Sequence, residues 1–525
     1  MPVDSSTDLT GSKRAGTPME RLDRGLAAYE QAAKPTLVLF FIVAAVLPVF
    51  FFLGPLRLSF LRVLLLIMFL PLVFRWLSGK YGGIIFPDIA LGVLVFWMFV
   101  SLTVNHGITR SFEFFAIQIV ELLGSYLLAR VYIRSKEAFL YFIKVLLWTI
   151  LALLPFAIFE SLTRTMLISQ ILDVIPGFST HPNVHYEPRL GLFRAQATFE
   201  HPILFGVFCS SGFALAWYGL RVAGFGNGRR MVWTVIAGMG AFFSVSSGAI
   251  LSIMAQIGLM TWNVAAGFVK KRWRLLIIIT AVCYIIIDLL SNRTPITVFI
   301  SFATFNSGTA YWRVLIWEYG SAEVWRNPLF GIGLHDWIRP AWMQSSSVDN
   351  FWLVMAMRYG LPGFLAVAAS FLTILLRVGR MDFSHDADLA ACQKAYMITV
   401  ICLFGSICTV HVWGAAFVYT VFLVASGVWM FTSDLGADVD QGGSGTPARG
   451  GSRPAAQGKS RPAAQGKSRP DRETRRGQAG QEMAADTAAK GSTEDPAPKR
   501  FYSPRDPNHG KPGARSTRRK PRPRR

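Results

Sequence analysis

Membrane-length apolar runs recur along the first 432 residues of the chain and are separated mostly by short polar turns. A helix needs about 20 largely apolar residues to cross the hydrocarbon core of a bilayer. This rule predicts about twelve transmembrane helices and therefore an all-α, polytopic membrane protein. The predicted spans lie near residues 36–53, 58–74, 84–104, 112–131, 138–159, 202–221, 231–247, 250–269, 275–291, 361–378, 394–412 and 414–432.

Two polar segments between these spans are too long to be simple turns. They cover about residues 160–201 and 292–360. The later one is rich in charged residues and tryptophan. We therefore expect these two loops to hold the chemistry and the spans to act as scaffold. The tryptophans of the later loop are Trp312, Trp317, Trp325, Trp337, Trp342 and Trp352.

Composition supports the membrane class. Hydrophobic residues make up 52% of the 525 residues and charged residues only 16%, whereas a soluble domain is about a quarter charged. The net charge of +22 is concentrated at the end of the chain, because residues 442–525 hold 21 lysines and arginines against 7 acidic residues. The positive charge is thus a property of the tail and gives no evidence for a nucleic-acid-binding core.

The two ends of the chain differ from the membrane domain, which is predicted to cover residues 35–433. Residues 1–34 read as a polar cytoplasmic leader, in which 21–34 forms either a short amphipathic helix or a disordered segment. Residues 434–525 are rich in Gly, Pro, Ala, Gln and Arg and repeat the octapeptide SRPAAQGK. This composition predicts a disordered, basic cytoplasmic tail. The first apolar run is membrane-length, so it predicts an uncleaved first span.

Neither a disulfide framework nor a metal-binding spacing is visible in the sequence. The five cysteines all lie outside the two long loops, and none forms a CxxC pair. We therefore predict no metal and no cofactor.

Basic residues fix the expected orientation. Lysines and arginines concentrate in one set of alternate loops, for example at 270–274, and such an excess marks the cytoplasmic side. Both termini are then cytoplasmic, and both long loops face outward. In a Gram-negative cell the outward side of the inner membrane is the periplasm.

The earlier loop ends with three polar side chains that stand just before a span: Arg194, Glu200 and His201. A guanidinium at the membrane edge suits a phosphate diester or a pyrophosphate, because its planar fork donates two parallel hydrogen bonds. The alternative is an interfacial arginine that pairs with lipid headgroups or with Glu200.

The later loop predicts two helices separated by a turn. In residues 309–325 Arg313 and Trp317 share one helix face, and Asn327-Pro328 ends that helix. A second helix over 347–358 is expected to be capped by Ser347 or Asp349. The loop tryptophans either stack on sugar rings or form an aromatic belt at the headgroups.

Asp349 and His335 carry the acid–base chemistry available in this loop. Each has an ordinary alternative, because an N-cap carboxylate is a common helix-start device and a turn histidine often bonds locally. They make an acid–base and anion-binding set with the arginines only if the two loops converge.

A few ionisable residues lie within the predicted spans. Such groups are costly at membrane depth and are often functional. They either pair to orient helices or mark a transport pathway, so a transporter is the main alternative class. The residues are Asp88, Glu113, Glu121 and Lys144.

Three motifs in order suggest a family. They are FRAQATFEHPILFG, SVSSGAIL, and YWRVLIWEYG followed by NPLFGIG and VDNFWLVMAMRYGLPG. Together, over about residues 189–363, they resemble the O-antigen ligase/polymerase superfamily. The resemblance implies a GT-C-like membrane glycosyltransferase that needs no metal and acts on glycans carried by undecaprenyl pyrophosphate. Wzy-like members polymerise repeat units, and WaaL-like members transfer finished chains to lipid A-core.

The resemblance also implies roles for individual residues. Arg194 and Arg313 would hold the pyrophosphate and stabilise it as a leaving group. Asp349 would act as the general base, with His335 and Glu200 as further catalytic candidates. His201, Asn350 and Trp317 complete the predicted substrate-binding set, and His201 is also a reserve base.

Two departures from the ligase pattern favour a polymerase. Ligases usually carry a His-Asn pair in the late loop, whereas this chain has Asp349-Asn350. The turn that often reads Ser-Arg-Gly reads Ser246-Ser247-Gly248 here. The sequence therefore favours polymerisation of lipid-linked repeat units into exopolysaccharide or O-antigen, ahead of a ligase and of a lipid-linked sugar flippase. A flippase, a chain-length regulator and export machinery are the partners expected in such a pathway.

Overall fold

The computed structural model describes residues 36–432, except for 55, 80, 183, 185, 293–294, 296–297 and 299–306. The predicted leader, the predicted tail and the start of the later loop lie outside the described residues. The described part is mostly helical, with a single two-stranded hairpin, so the predicted all-α class is confirmed.

The helices follow the predicted spans closely. The hairpin strands are β1 (Phe50–Leu53) and β2 (Leu56–Ser59). The helices are α1 (Thr36–Val46), α2 (Phe60–Leu77), α3 (Phe86–His106), α4 (Ile108–Tyr132), α5 (Lys136–Thr163), α6 (Leu167–Asp173), α7 (Pro202–Val222), α8 (Asn227–Phe243), α9 (Ser247–Ala265), α10 (Arg272–Leu290), α11 (Ser307–Arg326), α12 (Phe351–Arg380), α13 (Ala387–Ile407) and α14 (Gly414–Thr432).

Ten of the described helices are long and apolar enough to cross a membrane, two fewer than predicted. The two predicted spans whose helices have fewer than 18 residues are those of α1 and α8. The predicted first span fails after Val46 because the chain then turns into β1, which pairs antiparallel with β2 across a turn where Gly54 has φ +61°. A positive φ of this kind breaks a helix and favours glycine.

Helix α12 is bent by a backbone break at Gly360, which has φ 72° and ψ −179°. The break frees carbonyl groups that a regular helix would use. Three of them accept hydrogen bonds from outside the helix: Ile332 N–H reaches Met357 O at 2.8 Å, Gly333 N–H reaches Arg358 O at 3.0 Å, and the Trp97 indole reaches Tyr359 O at 3.0 Å. The turn at 327–333 therefore closes the kink.

The same turn also joins α12 to α3. The Ser101 hydroxyl of α3 donates to Phe330 O at 2.5 Å, and the Trp97 indole donates to Leu329 O at 3.1 Å. The rings of Trp97 and Phe330 stack with their centroids 5.5 Å apart. The later loop is thus bonded to the membrane helices at its middle, not only at its two ends.

The later loop has a small apolar core of its own, separate from the main core between the spans. Trp337 is buried in it, and its indole donates to Ser346 O at 3.0 Å. Trp337 is therefore a core residue, neither a sugar platform nor a belt residue. This core fixes α11 on the first half of α12 and consists of Leu315, Ile316, Val324, Trp337, Met343, Leu353, Ala356 and Met357.

The buried carboxylates within the spans are engaged with neighbouring helices. Asp88 accepts hydrogen bonds from the Tyr126 hydroxyl and from the Trp76 indole. Glu121 lies 2.7 Å from the Nε of Arg62. These contacts join α2, α3 and α4. They therefore support the interpretation in which ionisable residues of the spans pair to orient helices, rather than mark a transport pathway. Glu113 and Lys144 are exposed on their helices.

We predict that Gly360→Ala destabilises the fold by about 1–3 kcal/mol from backbone strain alone. A Cβ at this position would also overlap the Leu329 carbonyl, which belongs to the turn that closes the kink. Thermal unfolding of the purified protein measures the effect. Gly258→Ala in α9, where nothing lies within 4 Å of an added Cβ, is the control and should not lower the melting temperature. Equal melting temperatures for the two variants would contradict the role of the kink.

Candidate functional site

Arg194 follows a segment that two helix ends hold in place. Phe193 exchanges two hydrogen bonds with Ser161 at the end of α5, one from its backbone N–H and one to its carbonyl. Ala195 N–H donates to Phe243 O, the last residue of α8, at 3.0 Å. These bonds fix the backbone on both sides of Arg194, so the guanidinium is presented from a rigid base.

The buried carboxylate of Glu160 strengthens this anchor. It accepts the backbone N–H groups of Gln196 at 3.0 Å and Ala197 at 2.8 Å. Ala197 has φ +51°, a conformation that costs energy for a residue with a side chain. The two hydrogen bonds to a carboxylate offset that strain and keep the loop in its turn.

His201 caps α7 and lies beside the arginines. Its Nδ1 accepts the backbone N–H of Ile203 at 3.0 Å, so in the neutral ring Nε2 carries the hydrogen. Burial, and then the charges of Arg194 and Arg189, lowers the pKa of His201 to about 3. His201 is therefore neutral at physiological pH and offers a hydrogen-bond donor to a ligand. This geometry does not suit its reserve role as a base.

Arg313 and Asp349 both belong to the later loop. Arg313 lies on α11, and Asp349 stands one residue before the cap of α12, where its Oδ1 accepts the Ser347 hydroxyl at 3.1 Å. The cap itself is Asn350, whose Oδ1 accepts Leu353 N–H at 3.0 Å. The predicted caps Ser347 and Asp349 were wrong, because the helix begins at Phe351. Asp349 is thus free of capping.

The two loops converge at these charged side chains. Burial, and then the charge of Arg189 and that of Arg313, lowers the pKa of Arg194 to about 10, while the nearby carboxylate of Asp349 acts in the opposite direction. Burial also lowers the pKa of Arg313. The charge of Asp349 acts in the opposite direction, and the charge of Arg189 lowers the pKa further. Three cations and one carboxylate therefore share one region, which we call the arginine cluster (Arg189, Arg194, Arg313 and Asp349).

The guanidiniums of the arginine cluster keep their donors for a ligand. Among the described residues, no hydrogen bond or ion pair to the guanidinium of Arg194 or Arg313 is formed, and the Nε atom of each is shielded from solvent. Arg194 has a cation–π contact, with its Cζ 5.2 Å from the centre of the Tyr186 ring, but this contact leaves its N–H donors unbonded. Partly buried cations whose donors are unbonded are costly. A dianionic group such as a pyrophosphate would compensate them with charge-assisted, bidentate hydrogen bonds.

The remaining predicted site residues lie at other places. His335 is exposed against the end of α3, with Nε2 3.3 Å from Asn105 O and its ring 4.3 Å from the His106 ring. The Glu200 carboxylate is 3.9 Å from His181 Nδ1. Trp317 is exposed on α11, one turn beyond Arg313. Among the described residues, no hydrogen bond, ion pair or ring contact joins these three side chains to the arginine cluster.

Three cavities meet at Trp413, the residue before α14. An inner cavity lies beside Glu200, His181 and Glu121. A second lies between α3, α4 and α12, and a third, wider one opens under the later loop beside His335. The Trp413 ring is 5.9 Å from that of His201, which stands next to the arginines. Trp413 therefore links His201, and the arginines beside it, to all three cavities.

Three residues described above or lining these cavities were not predicted from the sequence: Arg189, Glu160 and His411. Arg189 stands at the start of the same motif as Arg194, and a second arginine five residues away was the available signal. Glu160 was placed at the edge of the loop without a role. His411 lies between two apolar runs in the short segment HVWG and was assigned to the end of a span, although a histidine there was a signal for a polar turn.

Comparison with known proteins identifies part of the chain. Residues 232–368 match the family model described as Wzy_C, O-Antigen ligase, which confirms the resemblance drawn from the motifs. The segment runs from α8 to just beyond the kink of α12, so it includes Arg313 and Asp349 but not Arg194. No curated protein matches the chain. The ten apolar helices and this family together indicate a multi-pass protein of the bacterial inner membrane.

We predict that Glu160→Gln displaces Arg194, because a glutamine amide cannot accept both backbone N–H groups through two carboxylate oxygens. The lost charge-assisted bonds should cost about 1.5–3 kcal/mol, and transfer activity should fall about tenfold or more, since small misplacements of a positioned group are costly. Thermal unfolding and glycan transfer by purified protein measure the two effects.

The control for this substitution is Glu113→Gln, which changes an exposed glutamate of α4 in the same way. If Glu160→Gln behaved like this control in both measurements, the proposed anchoring of Arg194 would be wrong.

Proposed function

We propose that this member of the O-antigen ligase/polymerase superfamily joins undecaprenyl-pyrophosphate-linked repeat units into a longer polysaccharide on the outer face of the membrane. The superfamily acts on lipid-linked glycans in O-antigen or polysaccharide assembly. The proposal is supported by the solvent-shielded Nε atoms of Arg194 and Arg313, which have no hydrogen-bond partner among the described residues, and by the mutual influence of these two charges and Asp349 although they come from two separate loops.

The arginine cluster suits the leaving group of this reaction. A hydroxyl of the acceptor sugar attacks the anomeric carbon of the donor chain, and the bond from that carbon to the pyrophosphate oxygen breaks. Negative charge then grows on the departing undecaprenyl pyrophosphate. Guanidiniums fixed in place beforehand stabilise this charge more in the transition state than in the ground state. No step requires a metal, and metal independence stays a prediction.

Asp349 is our first candidate for the general base. The attacking hydroxyl must lose its proton, and the carboxylate of Asp349 takes it while the new glycosidic bond forms. Ser347 holds one of its oxygens, which leaves the other to the acceptor. His201, which is neutral, and Asn350, which caps α12, are neighbours of this site that bind or position the substrate. His335 and Glu200 stay candidates only for contacts farther along the glycans.

The polymerase reading is preferred to a ligase because the late loop carries Asp349 where the ligase pattern has a histidine. The transporter alternative has less support, because Asp88 and Glu121 are engaged between helices. The expected orientation, with both termini in the cytoplasm, belongs to the same proposal and follows from the distribution of basic residues.

A deletion strain tests the function, and arginine variants test the site. Loss of the gene should remove high-mass polymer and leave single repeat units on the lipid carrier or on lipid A-core. Complementation with Arg194→Ala or Arg313→Ala should restore at most about 1% of the transfer rate, since loss of one such donor costs about 10²–10³-fold. Gel profiles of envelope and secreted glycans measure both.

Arg380→Ala at the opposite end of α12, which removes the same charge from an exposed side chain, should complement fully. Full-length polymer stranded on the lipid carrier would instead indicate a ligase. Full activity of Arg313→Ala would contradict the proposed site.

Asp349→Asn separates the base from the anion site. We expect turnover to fall by about 10²–10⁴-fold, because the hydroxyl loses its proton acceptor. Inhibition by added undecaprenyl pyrophosphate should be unchanged or stronger, because the substitution removes a negative charge beside the arginines. Steady-state kinetics with purified protein give both values. Near-normal turnover would place the base at another residue.

A further inference from the structure

The cavity that His411 and Trp413 line has no role in the mechanism above. Its wider part, about 510 Å³, lies under the later loop, and its narrower part continues between α3, α4 and α12. Both parts are lined by Val354, Arg358, His411 and Trp413, so they adjoin one another, and together we call them the His411 cavity. Its volume lies within the range of about 300–1,000 Å³ found for small-ligand pockets.

His411 is held firmly but is not bonded. Its ring stacks on Phe351, with centroids 6.4 Å apart and planes 18° apart, and lies 5.8 Å from the Trp413 ring. Its Nδ1 is shielded from solvent and finds no hydrogen-bond partner among the described residues. Buried polar atoms in native proteins are nearly always bonded. The unused capacity of this imidazole therefore points to a ligand that the protein meets in use.

The chemistry of the lining suits a neutral polyol. Burial, and then the charge of Arg358, lowers the pKa of His411 to about 3, so the imidazole is neutral and offers one donor and one acceptor. A sugar hydroxyl needs that combination. The Gln118 amide and the Arg358 guanidinium add donors at the wall, and the Trp413 ring offers an apolar face of the kind that stacks on sugars.

The position of the cavity indicates that it binds the acceptor glycan and not the donor glycan. The donor's reacting sugar is bonded to the pyrophosphate, so it must lie in contact with the arginines. The Trp413 ring neighbours both the His201 ring, which lies beside the arginines, and the His411 ring in the cavity wall. Its wall includes residues 346–348, which lead directly into Asp349, the proposed base. A glycan in this cavity would therefore end beside the proposed base, where the acceptor hydroxyl is needed, and of the described residues that line the cavity none is an arginine of the cluster.

We infer that the His411 cavity binds the terminal sugar of the acceptor glycan, with His411 bonded to its hydroxyls and Trp413 stacked on its face. This inference rests on the proposed glycan transfer, for which it supplies the second substrate site. It makes His411 and Trp413 acceptor-binding residues and leaves proton removal with Asp349.

The test separates acceptor binding from catalysis by using a lipid-free acceptor. Repeat-unit oligosaccharide is released from the lipid-linked material of the deletion strain and labelled with a fluorophore at its reducing end. Fluorescence anisotropy with the full-length protein in nanodiscs gives its Kd without a donor. Extension of the same probe, with lipid-linked repeat units as donor, gives its KM and kcat.

We expect His411→Gln and Trp413→Phe to raise Kd and KM for the probe about tenfold or more while kcat changes little. Arg194→Ala should leave the Kd unchanged, because it removes only the donor's anchor. His385→Gln, an exposed histidine between α12 and α13 that lines none of the three cavities, is the matched control. Melting temperatures close to that of the unmodified protein establish that the variants are folded.

The two proposals fail in different ways. Extension of the probe with a Kd and KM that do not respond to His411→Gln or Trp413→Phe would overturn the acceptor site and leave the polymerase standing. Binding that depends on His411, without extension by any protein including the unmodified one, would overturn the polymerase and reduce the cavity to a glycan-binding site. Absence of binding by the unmodified protein would also overturn the acceptor site.

Discussion

The broken helix at Gly360 is the constraint on which the late half of the molecule depends. Carbonyl groups released inside a membrane must find donors within the protein, and here the donors come from the turn at 327–333 and from α3. The chain cannot supply those donors without drawing the later loop down onto the membrane helices. Arg313 lies on the helix before that turn, and Asp349 lies just before the bent helix. The kink therefore positions half of the arginine cluster.

The other half depends on a separate anchor, and the two anchors explain why the site is built from distant parts of the chain. Arg194 is held by Glu160 and Ser161 at the end of α5 and by Phe243 at the end of α8. Neither anchor contains the other's residues, so each loop is rigid before the loops meet. A site in which two charges must flank one ligand gains from such rigidity, because little ordering is left to be done on binding.

The spans could be predicted because membrane length and apolarity are local properties, and the ten span-length helices lie close to the predicted positions. The short helix α6 was not predicted. The predictions were wrong where contacts between distant parts of the chain determine the structure. The first span breaks after Val46 to form a hairpin, Trp337 leaves the polar surface for the loop core, and Asn350 caps α12 in place of its neighbours. The convergence of Arg194 with Arg313 was stated only as a condition, since no pattern within either loop encodes their distance. The position of His411 in a cavity wall could not be predicted for the same reason.

The charges of the arginine cluster are unfavourable in the protein without a ligand. Three partly buried guanidiniums repel one another, and burial adds to the cost, as the lowered pKa values of Arg194 and Arg313 record. Asp349 offsets only part of this charge. The flanking histidine, His201, adds none, because the same burial and the same arginines keep it neutral. Such a cluster destabilises the empty protein, and an anion that binds the folded state recovers that energy as affinity. The anchors on both loops hold the backbone around Arg194 and before Asp349, so the arginines are not free to move apart and relieve this repulsion.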